Sequence, residues 1–242
     1  TIVKALVKVI EEWQGVLHLN ESVTKIVVEN SQVKGVESSK GEFYPADVMV
    51  ASGGAKEIFF DLVGEDVLPA AFANQVRELP LMDSIFMVHI GLDYDPSPET
   101  GGVCTYYYRT YDIEGSIKES KTGVYHEGKY GFVVHQPSLR SPEMAPEQHH
   151  CMTIYTICPD QLAGGDWEER KLDYTEKLLD FAEESIPGLR EHIVLVETLT
   201  PKDFQRIAHT EHHSFGGLAP VIGKPGIPHK TPIDGLWFVG HQ

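Results

Sequence analysis

Two short apolar runs at opposite ends of the chain place the strongest constraint on its fold. Residues 48–51 read Val-Met-Val-Ala and lead into Ser52 and Gly53, and residues 236–239 read Leu-Trp-Phe-Val and lead into Gly240. Continuous apolar runs of this length are typical of parallel strands that are buried on both faces. We therefore predict that the two runs lie side by side and parallel. Ligands of such sheets lie beyond the carboxyl ends of the strands, so the residues from Ser52 to Gly54 are candidates for contact with a small molecule.

The composition excludes several classes of protein. The 242 residues carry 36 acidic and 20 basic side chains, and the net charge of −16 repels phosphate backbones, so nucleic acid is not expected as a partner. No apolar segment approaches the ~20 residues of a membrane-spanning helix. Cys104, Cys151 and Cys158 form no C-x-x-C pair, so we expect neither a disulfide framework nor a zinc site. This cysteine usage favours a reducing, cytoplasmic compartment.

The residues between the two runs predict one domain inserted into another. A β-rich region begins near Pro80. A helix capped by Asp166, with Glu169 three residues further on, is predicted to continue until Pro187. Its apolar face, which includes Leu172, should cover the sheet. The strands of this mainly antiparallel sheet are predicted at 85–92, 103–109, 130–135 and 151–157.

The flanking segments predict a second, discontinuous domain. An amphipathic helix over residues 2–13 precedes a meander that includes an antiparallel hairpin of 23–28 with 33–36, and the parallel runs complete this part. The predicted fold class is α/β (α+β), with domain boundaries that place residues 80–193 in the inserted domain and residues 1–79 and 194–242 in the flanking one. The first residue is not Met, and we take the chain to be a piece of a longer protein.

Searches for catalytic and metal-binding motifs give no assignment. The chain has no G-x-G-x-x-G loop, P-loop or G-x-S-x-G elbow. His209, Glu211, His212 and His213 are close in sequence, but their spacing matches no metal site, so we interpret them as a polar loop and predict no metal. His209 and Glu211 are also the only clustered titratable groups before a Gly-Gly loop, which is too little to assign a catalytic residue.

Several segments together resemble a family of flavoproteins. The pattern V-x-x-I-x-V-E, V-x-G-V, G-x-x-x-x-A-D-V-x-V-A runs from Val23 to Ala51. It is followed by P-G-L at 187–189, T-P-x-D-F at 200–204, F-G-G at 215–217 and G-L-W-F-V-G-H at 235–241. In this order the segments resemble the phytoene desaturase and amine oxidase superfamily of oxidoreductases, and the later ones resemble its carotenoid desaturase and retinol saturase branch.

The resemblance implies an FAD site in a Rossmann-like domain. It places Val23 beside the adenine, Ala51, Ser52 and Gly53 at a strand end next to the cofactor, and Gly240 near the ribityl phosphate. His241 matches a position that is often acidic in the amine oxidase branch. These flavoproteins hold the pyrophosphate with an N-terminal G-x-G-x-x-G loop that this chain lacks, so FAD is expected in the full-length parent and not on this chain alone.

The resemblance also implies a function for the inserted domain. Residues 80–193 would be the substrate domain, and the parent would desaturate or saturate carbon–carbon bonds of an apolar, isoprenoid-like molecule. Collecting such a substrate is compatible with peripheral membrane contact. Two alternatives stay open at this point: a non-catalytic carrier of apolar ligands, and a flavin amine oxidase relative, for which Trp237 is the nearest aromatic candidate. The sequence does not specify the oligomeric state.

Overall fold

The structure is a computed structural model that describes residues 2–210 and 217–239. These residues form two compact units. Unit 1 contains residues 2–52, 58–77 and 227–239, and unit 2 contains residues 53–57 and the described part of 78–226. No helix in the described ranges is long and apolar enough to cross a membrane.

The helices and strands are named here in chain order. They are α1 (Ile2–Glu12), β1 (Val23–Glu29), β2 (Gln32–Ser38), β3 (Phe43–Pro45), β4 (Met49–Ser52), α2 (Ala70–Glu78), β5 (Ser84–Leu92), α3 (Ser97–Thr100), β6 (Cys104–Tyr108), α4 (Ile113–Ser120), β7 (Gly131–His135), β8 (His150–Cys158), α5 (Trp167–Ser185), β9 (Ile193–Leu199), α6 (Pro201–Ala208) and β10 (Leu236–Val239). A π-helix over Glu57–Gly64 precedes α2.

Unit 1 contains the two apolar runs as neighbouring strands. β4 and β10 pair in parallel, with Val50 opposite Trp237, which confirms the predicted arrangement. The predicted antiparallel hairpin is also confirmed, since β1 pairs with β2 and β3 completes the meander. Burial on both faces is not confirmed, because the side chain of Val50 is 61% exposed. Among the described residues this two-stranded sheet buries only the side that carries Leu236 and Phe238.

A short segment before β10 connects the meander to the parallel pair. The Val33 N–H donates to the Asp234 carbonyl at 2.9 Å, and the Met49 N–H donates to the Gly235 carbonyl at 2.8 Å. Gly235 has a φ of +79°, and a β-carbon there would lie 2.4 Å from the Asp47 carbonyl oxygen. Only glycine fits both the backbone angle and the space.

Gly235→Ala should therefore destabilise unit 1. The left-handed conformation and the contact with the Asp47 carbonyl should together lower the free energy of unfolding by about 3 kcal/mol, measured by urea denaturation. Gly41 is a matched control, because its φ is +80° and its β-carbon would meet no atom within 4 Å. Gly41→Ala should cost only about 1 kcal/mol of backbone strain. Equal losses in the two variants would contradict the close approach at Gly235.

Unit 2 is built on a five-stranded sheet in the order β6-β7-β8-β5-β9. Every neighbouring pair is antiparallel, as predicted. The sheet buries one face under α5 because alternate residues of its strands are apolar and meet apolar positions of the helix. The core contains Phe86, Val88, Ile90, Leu92, Phe132, Val134, Met152 and Ile154 from the sheet, and Trp167, Tyr174, Leu178, Leu179 and Ala182 from the helix.

Two details of α5 differ from the sequence prediction. Leu172 is 80% exposed. The sequence predicts Leu172 on the buried face of the helix. In the structure Lys171 lies on that face instead, and its ammonium is 2.9 Å from the Asp203 carboxylate. Asp166 does cap the helix, accepting from the Glu168 N–H at 2.9 Å, but it pairs with Lys202 rather than forming a capping box with Glu169.

The second domain boundary also differs from the predicted one. The sequence placed residues after 193 in the flanking domain, whereas β9 pairs along β5, with Glu197 opposite His89. Backbone hydrogen bonds to a central strand hold β9 in the inserted sheet, and unit 2 continues to residue 226.

Candidate functional site

Three of the predicted cofactor residues lie on strands of unit 1: Val23 begins β1, and Ala51 and Ser52 end β4. Ala51 and Ser52 end β4, where they pair with Phe238 and Val239 of β10. Gly53 follows Ser52 with a φ of +155°, a conformation that favours glycine. The carboxyl ends of both parallel strands therefore meet at one edge, as ligand sites of such sheets require. Gly240 and His241 lie outside the described residues.

Val23 begins the edge strand of the meander. It is partly exposed and lies opposite Ser38, and the outer edge of β1 has no strand partner in the part of the chain that the structure describes. Backbone N–H and C=O groups on such an edge are free to bond a planar heterocycle. The residues therefore fit the adenine contact that the resemblance implies for Val23.

A polar cluster holds the chain just before Val23. The Glu21 carboxylate accepts from the Lys40 ammonium and from the Tyr44 hydroxyl, both at 3.0 Å. The Ser38 hydroxyl, Lys40 and Tyr44 together lower the pKa of Glu21 to about 2, so this carboxylate is ionised at every physiological pH. The start of β1 is thereby fixed beside a permanent negative charge.

Unit 2 carries a cavity on the sheet face that α5 does not cover. Its volume is about 180 Å³, and its walls are mainly apolar and aromatic. On the sheet side it is lined by Ile85, Tyr106, Tyr108, Val133, Tyr155 and Ile157, and on the helix side by Ile113, Ser116 and Ile117 of α4. Concave apolar sites with a few polar groups are typical of small-molecule binding.

The tyrosines of β6 divide between the two faces of the sheet. Tyr107 stacks on Phe132, and Tyr106 and Tyr108 lie parallel to one another on the open face, with ring centroids 6.3 Å apart. Burial raises the pKa of Tyr155, so its hydroxyl stays protonated. The open face therefore presents flat, uncharged rings to a ligand.

Sequence reasoning missed the helical wall of this cavity. The sequence predicts strands at 103–109 and 130–135 and no helix between them. In the structure α4 begins at Ile113, after the N-cap Asp112, whose carboxylate accepts from the Gly115 N–H at 2.9 Å. Asp112 as an N-cap, followed by Ile113 and Ile117 one turn apart, is the signal that would have located this helix.

Most of the histidine cluster lies outside the described residues. Among the residues that the structure describes, no group of three or more His, Cys, Asp or Glu side chains is arranged to hold a metal ion. His209 ends α6 in the left-handed conformation, and Glu211, His212 and His213 lie outside the described residues.

Comparison with known proteins gives no match to any family model. The chain is 23% identical to the lycopene-forming phytoene desaturase of Pseudescherichia vulneris over 99% of its own length and 49% of that protein. It is 26% identical to prolycopene isomerase 2 of an Oncidium hybrid over 99% of its length and 40% of that protein. Its homologues include carotenoid desaturases and isomerases. The chain spans about half the length of the curated relatives it matches.

Solved structures of oxidoreductases share the fold of this chain. An oxidoreductase from Methanosarcina mazei matches with a TM-score of 0.63 and 19% identity, over 99% of this chain and 48% of that one. Cyclohexylamine oxidase from Brevibacterium oxydans matches with a TM-score of 0.55 and 13% identity, over 90% of this chain and 43% of that one. The predicted resemblance to carotenoid desaturases is thus confirmed by sequence similarity, and the chain shares its fold with these two solved oxidoreductases.

Proposed function

We propose that this chain is part of an FAD-dependent oxidoreductase that desaturates or saturates carbon–carbon bonds of an apolar, isoprenoid-like substrate. The observation that carries the proposal is its homology to carotenoid desaturases over 99% of its length. FAD would supply the redox chemistry, and the protein would bind and orient the two reactants in a dry site.

On the cofactor side, the strand ends of unit 1 support the proposal. Val23 offers an unpaired strand edge, and Ala51 and Ser52 end β4 beside β10, with Gly53 as the next residue of the chain. Gly240 and His241, which follow β10 directly in the sequence, complete the proposed cofactor contacts. The exposed side of the β4–β10 pair also supports a larger cofactor domain, because Val48, Val50 and Trp237 leave apolar surface uncovered among the described residues.

On the substrate side, the open face of unit 2 supports the proposal. Its cavity is lined mainly by tyrosine rings and aliphatic side chains, together with Ser116, His126 and Thr156, and apolar surfaces bind at about 25 cal/mol per Å² removed from water. Among the described residues no carboxylate or ammonium lines this cavity. Unit 2 is therefore proposed as the substrate domain, extended to β9 and α6 beyond the boundary predicted from sequence.

Flavin content tests the proposal. The full-length protein should purify yellow, with bound FAD and an absorbance band in the blue, and should convert a carotenoid precursor. The 242-residue chain alone should not retain FAD, because it lacks the backbone amides of the pyrophosphate loop. Each missing amide removes a hydrogen bond to a charged group, worth roughly 1.5–3 kcal/mol, and a few such losses weaken binding by orders of magnitude. A colourless full-length protein that does not take up added FAD would exclude the enzyme and favour an apolar-ligand carrier.

A further inference from the structure

The open face of the unit 2 sheet changes from apolar to polar between two adjacent rows of side chains. The strand registers align one residue from each strand into a row that crosses all five strands. The row nearer the cavity, here called the apolar row, contains Tyr106, Val133, Tyr155, Met87 and Leu199. The next row, here called the polar row, contains Cys104, His135, Thr153, His89 and Glu197.

The centre of the polar row holds a hydrogen-bonded pair. His89 Nδ1 and Thr153 Oγ1 lie 2.8 Å apart, and both residues are half-buried. Burial lowers the pKa of His89, although Glu197 opposes the shift, so the ring is mainly neutral at pH 7. A neutral imidazole beside a hydroxyl can both donate to and accept from a further oxygen.

A pure hydrocarbon would fit only part of this face. A ligand lying along the strands from Ile85 to His89 would cover about 13 Å, at roughly 3.3 Å per residue. Its body would rest on the cavity and the apolar row, and its end would cover His89 and Thr153. Covering these groups with hydrocarbon would remove water from them without offering a hydrogen bond, which opposes binding.

The charge near His89 determines which oxygen-bearing group of a ligand can bind there. Glu197 lies opposite His89 in the strand register, and the histidine is mainly neutral, so a carboxylate bound at His89 would meet the negative charge of Glu197. A hydroxyl or carbonyl oxygen avoids this repulsion and bonds the His89–Thr153 pair.

We propose that the open face of unit 2 binds an isoprenoid-like molecule that carries an uncharged hydroxyl or carbonyl oxygen, which the His89–Thr153 pair recognises. The inference rests on the proposed function for the apolar nature of the substrate. It adds the position and kind of polar group that this substrate carries. His89 and Thr153 thereby act as specificity-determining residues.

Matched ligands test this inference on the 242-residue chain. Farnesol, farnesene and farnesoic acid share an isoprenoid body and differ in carrying a hydroxyl, no oxygen, or a carboxylate. Their affinities at neutral pH are measured by displacement of Nile red, an uncharged apolar dye. Farnesol should bind about tenfold more tightly than either of the others, because a site built to hydrogen-bond a hydroxyl rejects analogues that lack it.

Thr153→Val then separates recognition of the hydroxyl from recognition of the isoprenoid body. The substitution removes the hydroxyl on an open sheet face, and it should reduce farnesol affinity to that of farnesene while leaving farnesene unchanged. Thr24→Val is the matched control, because Thr24 is an exposed residue of β1 in unit 1. It should change neither affinity, and circular dichroism should show native structure in both variants.

Each contrary outcome has a distinct meaning. Equal affinities for farnesol and farnesene, or no effect of Thr153→Val, would overturn the inference and leave the proposed function standing. Tightest binding of farnesoic acid would overturn the requirement for an uncharged oxygen. Failure of all three ligands to displace Nile red would count against an apolar substrate on this face, and so against the proposed substrate class itself.

Discussion

Replacing Tyr155 by aspartate in the full-length enzyme should abolish turnover while leaving the FAD content unchanged. Tyr155 lies on the central strand β8, between Val133 and Met87 in the apolar row, and it lines the cavity. A carboxylate there would lose hydration when an apolar substrate covers it. We expect kcat/KM to fall by about a hundredfold or more, measured together with flavin absorbance per mole of protein.

Leu172→Asp is the matched control for this substitution. Leu172 lies on the exposed side of α5, in the same unit, and should tolerate a carboxylate with activity and flavin intact. Loss of flavin together with activity in Tyr155→Asp would mean that the cofactor and substrate roles of the two units are wrongly assigned. Unchanged activity would mean that the substrate binds elsewhere.

Asp203→Ala should produce the largest loss of stability among single substitutions of charged residues. The Asp203 carboxylate is buried, and it accepts from the Lys171 ammonium at 2.9 Å, the Thr200 N–H at 3.0 Å and the Arg206 guanidinium at 2.7 Å. Removing it leaves Lys171 without its partner and breaks the capping box of α6. The free energy of unfolding should fall by about 3–5 kcal/mol in urea denaturation at pH 7.

The pH dependence of this loss follows from the pKa of Asp203. Burial alone would raise this pKa, but the bonds from Lys171, Thr200 and Arg206 outweigh burial and hold it well below its usual value. The stabilisation is therefore fully present above about pH 4 and is lost as the pH falls from there toward the depressed value. The difference between the wild type and Asp203→Ala should shrink over that acidic range.

Asp173→Asn provides the control for the Asp203 substitution. Asp173 pairs with Arg170 and Lys177 on the exposed surface of α5, where ion pairs contribute about 0–1 kcal/mol. Its replacement should change stability by less than about 1 kcal/mol. A comparable loss of unfolding free energy in both variants would show that the buried network around Asp203 stabilises the fold no more than an exposed ion pair does.

The strands were predictable because their patterns depend on local burial. β5 alternates buried and half-buried residues over its whole length, and β10 is a compact apolar run between turns, so both were located from sequence within about one residue. α6 was missed because its first residues were read as a family motif. The T-P-x-D-F segment is a helix start, in which Thr200 and Asp203 form a capping box and Pro201 occupies the first turn.

The candidate site was less predictable because it depends on strand register. His89, Thr153 and Glu197 are far apart in the sequence and belong to no recognisable motif. Only the pairing of β5 with β8 and β9 places them in one row, and a shift of one residue in either register would turn a side chain to the other face. The proposed cofactor residues were predicted instead by resemblance, since the pattern around Val23 and Ala51 is continuous in sequence.

Unit 1 is assembled from segments that are far apart in the sequence, and this affects how the chain folds during synthesis on the ribosome. β4 emerges early, but its parallel partner β10 and the Gly235 connection are translated only after the whole of unit 2. Unit 2 is nearly contiguous in sequence and can fold while the chain is still being made. The apolar residues of β4, in contrast, remain exposed until β10 has been translated. We therefore expect nascent chains halted before residue 227 to bind chaperones through residues 48–52 and to be released once β10 has emerged.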